Sequence, residues 1–258
     1  MQVQPEKGHY SQGLISVDKG ILTGCDERQE WLLIWWWKNL TKFNAYPITF
    51  CDFGMSPSAR AWCASKGNVI TQSKEMFPIK NINEQVANPP WKDTITPRMW
   101  DHRPIWFYKP LVLPKTPYKR TLWMDPDCEV KGSIEPLMDL PLGKDRFAIR
   151  KTSEEDNEGA RKMGYLSPGV SGVQAGVILY EKDTPVIPAW IDRFLHNHPN
   201  EFSDEHCLDH LLHDHPFEIT HFSPLYNSTE FNPPNPNAII HHHSSAKQKR
   251  ILLQKIHI

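Results

Sequence analysis

The first seventy residues alternate short apolar runs with segments of helical character, and this alternation constrains the fold more than any other feature. We predict strands at 14–17 and 20–23 (joined by a turn at 18–20), 46–52 and 68–71, and helices at 27–40 and from 57 to about 67. Asp26 is a suitable N-cap for the first helix, and Ser56-Pro57 is a suitable start for the second. Strands that alternate with helices in this way are typical of an α/β domain with a mostly parallel central sheet flanked by helices.

The rest of the chain continues this alternation with longer loops. We predict strands at 119–124, 146–150, 173–180 and 237–241, and helices around 106–112, at 185–196 and at 203–213. The 23 prolines concentrate in 78–141 and 216–236. Proline has no backbone N–H, so these segments should run as irregular loops, which often carry function. Residues 152–168 are charged and polar, and we predict an exposed loop there. We expect a single domain over residues 1–258.

Composition argues against several classes of protein. Lys and Arg number 29 and Asp and Glu number 30, for a net charge of -1, whereas a nucleic-acid binder needs a basic surface. The longest apolar run, Trp31–Trp37, is shorter than the roughly 20 residues of a membrane-spanning helix. Residues 1–11 are polar and predict no secretory signal. The five cysteines include no C-x-x-C pair, so we expect free thiols in a protein of the reducing cytoplasm.

Two acids directly follow the apolar strand at 119–124. Asp125 and Asp127 are separated by a single proline. In open α/β sheets ligands bind at the carboxyl ends of the strands, and carboxylates there suit a hard divalent ion such as Mg²⁺ or Mn²⁺. Two acids in a turn after a strand are also common without any metal, so this pattern alone does not establish a site.

A histidine run near the C-terminus offers a further ligand. His241, His242 and His243 follow the last predicted strand, and an imidazole from this run could join the same ion. Lys247 could meet an anionic group as a point charge. The alternative is a solvated turn.

Two other segments carry polar groups at positions where a ligand could approach. Gln174 lies just inside the apolar strand at 173–180, close to a glycine. Asp204 lies in the first turn of the helix that Ser203 caps, where the helix dipole favours acids. A satisfied buried amide and an ordinary helix start are the structural alternatives.

Taken in chain order, these segments resemble glycosyltransferase family 8 and its relatives, which have the GT-A fold. The resemblance spans residues 20–247. Its motifs are an opening strand at 20–26, a helix at 106–111, L-x-x-D-x-D at 122–127, Q-A-G-V at 174–177 for N-[S/A]-G-V, 204–208 for D-Q-D-x-L, and His241, Ser244 and Lys247 for H-x-x-G-x-x-K. The chain departs from the family pattern at Gln174, at Ser244 and in the helix start.

The resemblance implies a GT-A-like, Rossmann-type domain with a nucleotide-binding half at about 14–130, an acceptor and donor-sugar half at about 131–247 and a tail at 248–258. It implies a hexosyltransferase-like enzyme that moves a sugar from a UDP-linked donor to an unknown acceptor with retention of configuration. Asp125, Asp127 and His241 (or His243) would bind Mn²⁺ or Mg²⁺. Thr23, Gly24, Asp26, Lys109 and Lys247 would contact the nucleotide-sugar, and Gln174 and Asp204 would lie near the donor sugar and the acceptor. For Lys109, pairing with nearby acids is the alternative.

Two other functions remain open. The imperfect helix start and Ser244 fit a module that binds a nucleotide-sugar or a glycan without transferring it. The histidine clusters at 206–215 and 241–243 fit a metal-dependent hydrolase, which would draw zinc or iron ligands from both clusters.

Overall fold

A seven-stranded sheet forms the centre of the structure, a computed structural model that describes residues 17–72, 74–229 and 235–256. The strands are β1 (Val17–Cys25), β2 (Ile48–Asp52), β3 (Asn68–Thr71), β4 (Tyr118–Met124), β5 (Cys128–Val130), β6 (Phe147–Lys151), β7 (Val173–Glu181), β8 (Thr220–His221), β9 (Ser228–Thr229) and β10 (Ile240–His242). The helices are α1 (Leu33–Thr41), α2 (Pro57–Lys66), α3 (Pro97–Trp106), α4 (Tyr108–Val112), α5 (Glu135–Met138), α6 (Glu154–Lys162), α7 (Val186–Asn197), α8 (Asp204–Asp214) and α9 (Ala246–Ile256).

The large sheet has the order β3-β2-β1-β4-β7-β6-β8. Strands β3, β2, β1 and β4 pair in parallel, while β7 runs antiparallel to both β4 and β6. The predicted α/β architecture with a mostly parallel sheet is thereby confirmed. Strands β5, β10 and β9 form a separate small sheet, in which β10 is the central strand. This small sheet carries the histidine run toward the end of β4.

The opening strand differs from its prediction, because no turn interrupts it at 18–20. β1 is continuous and pairs with β4 along this stretch, with Gly20 opposite Thr121. A Cβ at Gly20 would fall onto the Tyr118 ring, so the glycine allows close packing here instead of a turn. The predicted strand residues 14–16 lie outside the described part of the chain.

Apolar side chains cover both faces of the large sheet. Trp36 of α1 and Phe50 of β2 pack on one face, and Trp123, Tyr180 and Phe194 pack on the other. All five are almost completely buried, and each such side chain contributes on the order of 2–3 kcal/mol of transfer free energy. The sheet therefore holds its strand ends, and the side chains that follow them, on a rigid support.

The helices near the chain start follow the capping signals only in part. Ser56 caps α2 as predicted, since its Oγ accepts from the Ala59 N–H at 3.2 Å. Asp26 does not cap α1: a 3-10 turn precedes α1, and Oδ1 of Asp26 accepts from the Arg28 N–H at 3.1 Å. Pro104 is accommodated within α3, and a second short helix, α4, follows it.

The loop predicted at 152–168 is wrong, because this segment contains α6. Ser153 caps α6, accepting from the Asp156 N–H at 3.1 Å. The first turn is acidic and the last turn is basic, which complements the helix dipole. α6 buries little apolar surface, so the periodic signal that marks most helices is missing from its sequence.

The five cysteines are free, as predicted, and all of them are buried. None of the helices within the described residues is long and apolar enough to span a membrane.

Candidate functional site

The candidate site lies where β4 ends, at the centre of the sheet. A cleft of about 320 Å³ opens there. The N–H of Asp125 donates to the Gly176 carbonyl at 2.8 Å, and the N–H of Cys128 donates to the Asp125 carbonyl at 3.1 Å. Nε1 of Trp123 donates to Asp125 Oδ1 at 2.7 Å. This tight, hydrogen-bonded turn holds the carboxylates of Asp125 and Asp127 at the cleft.

β10 brings an imidazole to these two acids. It pairs antiparallel with β5, which sets His242 opposite Cys128, and the His243 N–H donates to the Asp127 carbonyl at 3.0 Å. Nε2 of His242 lies 3.2 Å from Asp127 Oδ1 and 3.9 Å from Asp125 Oδ2. His242, more than a hundred residues from the aspartates in sequence, thus lies within 4 Å of a carboxylate oxygen of each of them.

The histidine in the cleft is neither His241 nor its alternative His243. Side chains alternate between the two faces of a strand, so His241 and His243 share the face opposite to His242. Their rings lie 4.5 Å apart, and Nε2 of His243 bonds Glu129 Oε2 at 3.1 Å. The imidazole expected of His241 is therefore supplied by His242.

Burial and charge act against each other at Asp127 and His242. Burial favours the neutral carboxyl, but Lys249 and His242 outweigh it and hold the pKa of Asp127 well below its usual value. Burial also lowers the pKa of His242, and Asp127 more than offsets this, so that the pKa is raised. Asp127 Oδ1 and His242 Nδ1 are buried without a well-aligned hydrogen-bond partner in the described structure. Such atoms are costly unless a ligand satisfies them.

Two lysines flank the acids. Nζ of Lys109, from α4, lies 3.3 Å from Asp125 Oδ1 and 3.2 Å from Asp204 Oδ2, and it donates to the Ala175 carbonyl at 3.1 Å. Nζ of Lys249, from α9, lies 2.8 Å from Asp127 Oδ2. Burial lowers the pKa of each lysine, but the facing carboxylates raise it above its ordinary value. Both lysines are therefore charged at neutral pH.

Lys247, the lysine expected to meet the diphosphate, is exposed and lies outside the cleft. It follows His241 by six residues, as the family pattern requires. The structure instead places His242 and Lys249, which are seven residues apart, at the cleft.

The start of α8 forms the wall opposite the aspartates. Ser203 caps α8, and Asp204 lines the cleft. Oε2 of Glu205 accepts from the Ala175 N–H at 2.7 Å, and burial raises the pKa of Glu205 to about 7. Gln174 lies outside the cleft in a neighbouring cavity, where its Nε2 donates to Thr152 Oγ1 at 3.3 Å.

Of the residues of β1 and its end that are expected to contact the nucleotide, some line the cleft and one does not. Gly24 and Asp26 line the cleft at the end of β1, but Thr23 is completely buried and does not. A Cβ at Gly24 would lie 2.7 Å from Cys51 Cβ and 2.8 Å from the Phe53 ring. Glycine at this position is therefore needed for close packing of β1 against β2.

Sequence reasoning did not assign His242, Lys249 or Glu205 to the site. Strand alternation alone separates His242 from its two neighbours, but it does not say which face meets the aspartates. Nothing in the sequence distinguished Lys249 from the other basic residues of the C-terminal helix, and the basic face of a helix is usually exposed to solvent. Glu205 follows Asp204 in the helix start, and only the fold shows that both acids face inward.

The two histidine clusters do not combine into one metal site. Nδ1 of His206 bonds Ser203 Oγ at 2.7 Å, and Nδ1 of His210 bonds Glu201 Oε2 at 2.7 Å. Within 17–72, 74–229 and 235–256, the His, Cys, Asp and Glu side chains whose ligand atoms all lie within 4.8 Å of one another are Asp127, Cys128 and His242, so neither His206 nor His210 takes part. Asp125 lies outside this group, although its Oδ2 is 3.9 Å from His242 Nε2. The geometry gives the zinc or iron hydrolase no support.

Comparison with solved structures identifies the fold. The chain is similar to the galactosyltransferase LgtC, in a complex with donor and acceptor sugar analogues, with a TM-score of 0.59 and 16% identity over 88% of this chain and 87% of that one. It is similar to the apo glycosyltransferase GlyE of Streptococcus pneumoniae, with a TM-score of 0.59 and 17% identity over 89% of this chain and 55% of GlyE.

The bifunctional glycosyltransferase WbbM matches with a TM-score of 0.55 and 13% identity, over 90% of this chain and 46% of WbbM. The chain therefore spans about half the length of GlyE and of WbbM. No protein-family model matches the sequence, and no curated protein matches it either. At these identities the comparisons show a shared fold, and the chain has the GT-A fold of these glycosyltransferases.

Proposed function

We propose that the protein is a divalent-cation-dependent glycosyltransferase that moves a sugar from a nucleotide-sugar, most simply a UDP-sugar, to an acceptor hydroxyl. The observation that carries this proposal is the convergence of Asp125, Asp127 and His242 in a cleft at the end of β4. Within the GT-A fold, we infer that residues of about 14–130 hold the nucleotide and that those of about 131–247 face the donor sugar and the acceptor.

The side chains at the end of β4 fit Mn²⁺ or Mg²⁺. Ligand atoms that share a small divalent ion at about 2.1 Å lie about 3 Å apart, which matches the 3.2 Å between Asp127 Oδ1 and His242 Nε2. The two carboxylates are the hard oxygen donors that these ions prefer, and the imidazole of His242 adds one borderline nitrogen donor. Burial raises the pKa of the neighbouring Cys128 thiol well above its ordinary value, so Cys128 stays protonated and is a poor ligand at neutral pH.

The lysines fit the diphosphate of the donor. Lys109 and Lys249 are held at the cleft by Asp125, Asp204 and Asp127. When it is bound, the cation would act as a Lewis acid on the diphosphate oxygens. Lys109 and Lys249 would add fixed positive charge where the leaving group becomes more negative, in a cleft partly shielded from water.

In the proposed transfer the acceptor attacks the anomeric carbon on the face from which the nucleoside diphosphate leaves, so that the configuration is retained. The acceptor oxygen bonds to the anomeric carbon, the bond from that carbon to the phosphate oxygen breaks, and the nucleoside diphosphate leaves. The acceptor proton passes to a phosphate oxygen of the leaving group. We expect retention of configuration, with Asp204 close to the donor sugar because its carboxylate pairs with Lys109 on the cleft wall.

Calorimetric titration of the full chain with UDP, with and without Mn²⁺, tests the proposal. We expect Mn²⁺-dependent UDP binding that Asp127→Asn and His242→Gln each weaken at least tenfold. Asp183→Asn is the matched control, since Asp183 is 78% exposed and pairs with Arg146 away from the cleft. Absence of UDP binding, or unchanged binding in both variants with native melting curves, would refute the proposal.

Turnover then separates the enzyme from a binding module. UDP-glucose, UDP-galactose and UDP-N-acetylglucosamine are incubated with protein and Mn²⁺, and the released sugar is followed by proton NMR. Slow hydrolysis that appears first as the α-anomer supports an active, retaining transferase. UDP binding without any turnover of these three donors would favour the binding module.

A further inference from the structure

A glutamate, a histidine and a serine form a hydrogen-bonded chain away from the cleft at the end of β4. Nδ1 of His210, on α8, bonds Glu201 Oε2 at 2.7 Å, and Nε2 of the same ring bonds Ser167 Oγ at 3.1 Å. Glu201 lies in the turn before α8, and Ser167 lies between α6 and β7. None of the three is among the described residues that line the cleft, and the proposed glycosyl transfer does not use them.

The hydrogen bonds place the proton of the His210 ring on Nδ1. A carboxylate only accepts hydrogen bonds, so Nδ1 donates to Glu201. The Ser167 N–H donates to Nε2 at 3.3 Å, and a proton on Nε2 would set two donors against each other. Nε2 therefore presents its lone pair to the Ser167 hydroxyl, which is the arrangement that a general base needs.

The carboxylate of Glu201 is fixed at both of its oxygens. The side chain is only 4% exposed. Oε1 accepts from Arg193 Nε at 3.0 Å, while Oε2 accepts from His210. The guanidinium favours the ionised carboxylate, because charge-assisted hydrogen bonds are the stronger ones. A carboxylate held in this way orients the imidazole and would stabilise the imidazolium that forms when Nε2 takes a proton.

The backbone at Ser167 is held in a turn that leaves this residue at the surface. The Val170 N–H donates to the Ser167 carbonyl at 3.2 Å, and Gly169 has a positive φ of +83° inside the turn. Nη2 of Arg161 donates to the Val170 carbonyl at 3.2 Å, which ties the turn to α6. Ser167 itself is exposed, so a small molecule can reach it without any opening of the core.

We propose that these residues form a second active site, in which Ser167 is a nucleophile for small carboxylic esters, His210 is its general base and Glu201 orients the imidazole. Both hydrogen bonds of the chain fall within the reach expected of a nucleophile, a base and the group that orients the base. Such a constellation is recognised by its geometry and does not require a particular fold. It is independent of the proposed glycosyl transfer.

The reaction proceeds in two balanced steps. Ser167 Oγ bonds to the acyl carbon while its proton passes to His210 Nε2, the bond from the acyl carbon to the alkoxy oxygen breaks, and the alcohol leaves with that proton. Water then attacks the acyl carbon and gives a proton to Nε2. The bond from the acyl carbon to Oγ breaks, Oγ takes the proton back, and the carboxylic acid leaves.

Labelling with a fluorophosphonate probe tests the nucleophile directly. The full chain is incubated with the probe, the modified peptide is identified by mass spectrometry, and the labelling rate is compared among variants. We expect the unmodified protein to be labelled at Ser167, Ser167→Ala to lose the label, and His210→Gln to slow labelling at least about a hundredfold, the low end of a general base's contribution. Ser171→Ala and His213→Gln, which remove an exposed serine of the same loop and an exposed histidine of the same helix, should be labelled at the native rate.

Hydrolysis of p-nitrophenyl acetate tests the orienting role of Glu201. We expect Glu201→Gln to lower kcat at least about tenfold while KM stays within about twofold, because the amide fills the same space but carries no charge to stabilise the imidazolium. A carboxylate with a merely structural role would change the melting temperature and leave the kcat of the folded protein at its native value. Melting curves are therefore recorded for every variant.

Labelling at Ser167 that depends on His210 supports the second active site. Absence of labelling in the unmodified protein, a label that persists in Ser167→Ala, or a native labelling rate in a folded His210→Gln would overturn it. Should His210→Gln fail to fold, Ser167→Ala still decides, since it changes an exposed residue. None of these measurements involves UDP or Mn²⁺, so failure here is distinguishable from failure of the glycosyltransferase proposal.

Discussion

Gly176 provides the sharpest test of the proposed metal site, because it lies against the imidazole of His242. A Cβ at Gly176 would overlap the His242 ring and would lie 3.0 Å from Nε2, the atom that faces the aspartates. The Gly176 carbonyl also accepts from the Asp125 N–H at 2.8 Å, so the backbone cannot retreat without moving the acidic turn. In Gly176→Ala the ring has to shift by about 1 Å to reach ordinary contact distance.

This shift is large compared with the tolerance of a metal site, whose ligand distances vary by only about 0.2 Å. We expect Gly176→Ala to weaken Mn²⁺ binding by at least about tenfold, which is the low end for losing the orientation of a metal ligand. Overpacking at a buried position should also lower the free energy of unfolding by about 1–3 kcal/mol. Calorimetric Mn²⁺ titration and thermal unfolding measure the two effects separately.

Gly159→Ala is the control, since a Cβ there meets no neighbour. It should raise the free energy of unfolding by about 0.5–1 kcal/mol, because alanine favours helix more than glycine does, and Mn²⁺ affinity should not change. Native Mn²⁺ affinity in Gly176→Ala would show that His242 does not bind the ion in the described orientation.

Three further predictions concern the structure around the site. Arg103→Met should lower the free energy of unfolding by about 3–5 kcal/mol. The reason is that the completely buried guanidinium donates to the carbonyls of His198, Glu201 and Phe202, just before α8. A loss below about 1 kcal/mol in urea unfolding would contradict this prediction. Burial raises the pKa of Glu205 to about 7, above its value in the unfolded chain, so its contribution to stability is complete below about pH 4.5 and is lost as pH rises through 7. In Glu205→Gln the melting temperature should therefore fall less between pH 5 and 8 than it does in the unmodified protein. The difference corresponds to at most about 3 kcal/mol in the free energy of unfolding. An unchanged dependence of melting temperature on pH would contradict the role assigned to Glu205. All five thiols are buried, and burial raises the pKa of each, so a thiol-specific reagent should label none of them at neutral pH before unfolding; rapid labelling of even one would disprove that.

The large sheet could be predicted because its signals are local. The strands at 46–52, 119–124 and 173–180 are short apolar runs, and the structure places a strand within or over each of them. α6 escaped prediction because its stability depends on caps and end charges instead of an apolar face. The continuity of β1 was not predicted, because Gly20 was interpreted as a turn residue. Its glycine is needed for contact with the ring of Tyr118, which lies about a hundred residues away in sequence.

The aspartates of the site could be found from sequence, but their partner could not be fixed. Asp125 and Asp127 follow a strand whose direction in the sheet determines where they lie. The choice among His241, His242 and His243 depends on the register of β10 against β5, and a shift by one residue would exchange the two faces. That register is set by pairing between segments more than a hundred residues apart, which no local pattern contains.

The charges of the cleft show why these distant segments have to meet. Asp125, Asp127 and Asp204 would repel one another in a largely buried space, and Lys109 and Lys249 offset that repulsion. Lys109 on α4 precedes Asp125 by 16 residues, whereas Lys249 on α9 follows Asp127 by more than a hundred. The charges of the cleft are therefore balanced only when both helices are docked. A cation bound to the aspartates would release part of this positive charge toward a diphosphate. The same contacts that stabilise the cleft would therefore also favour the anionic donor that we propose.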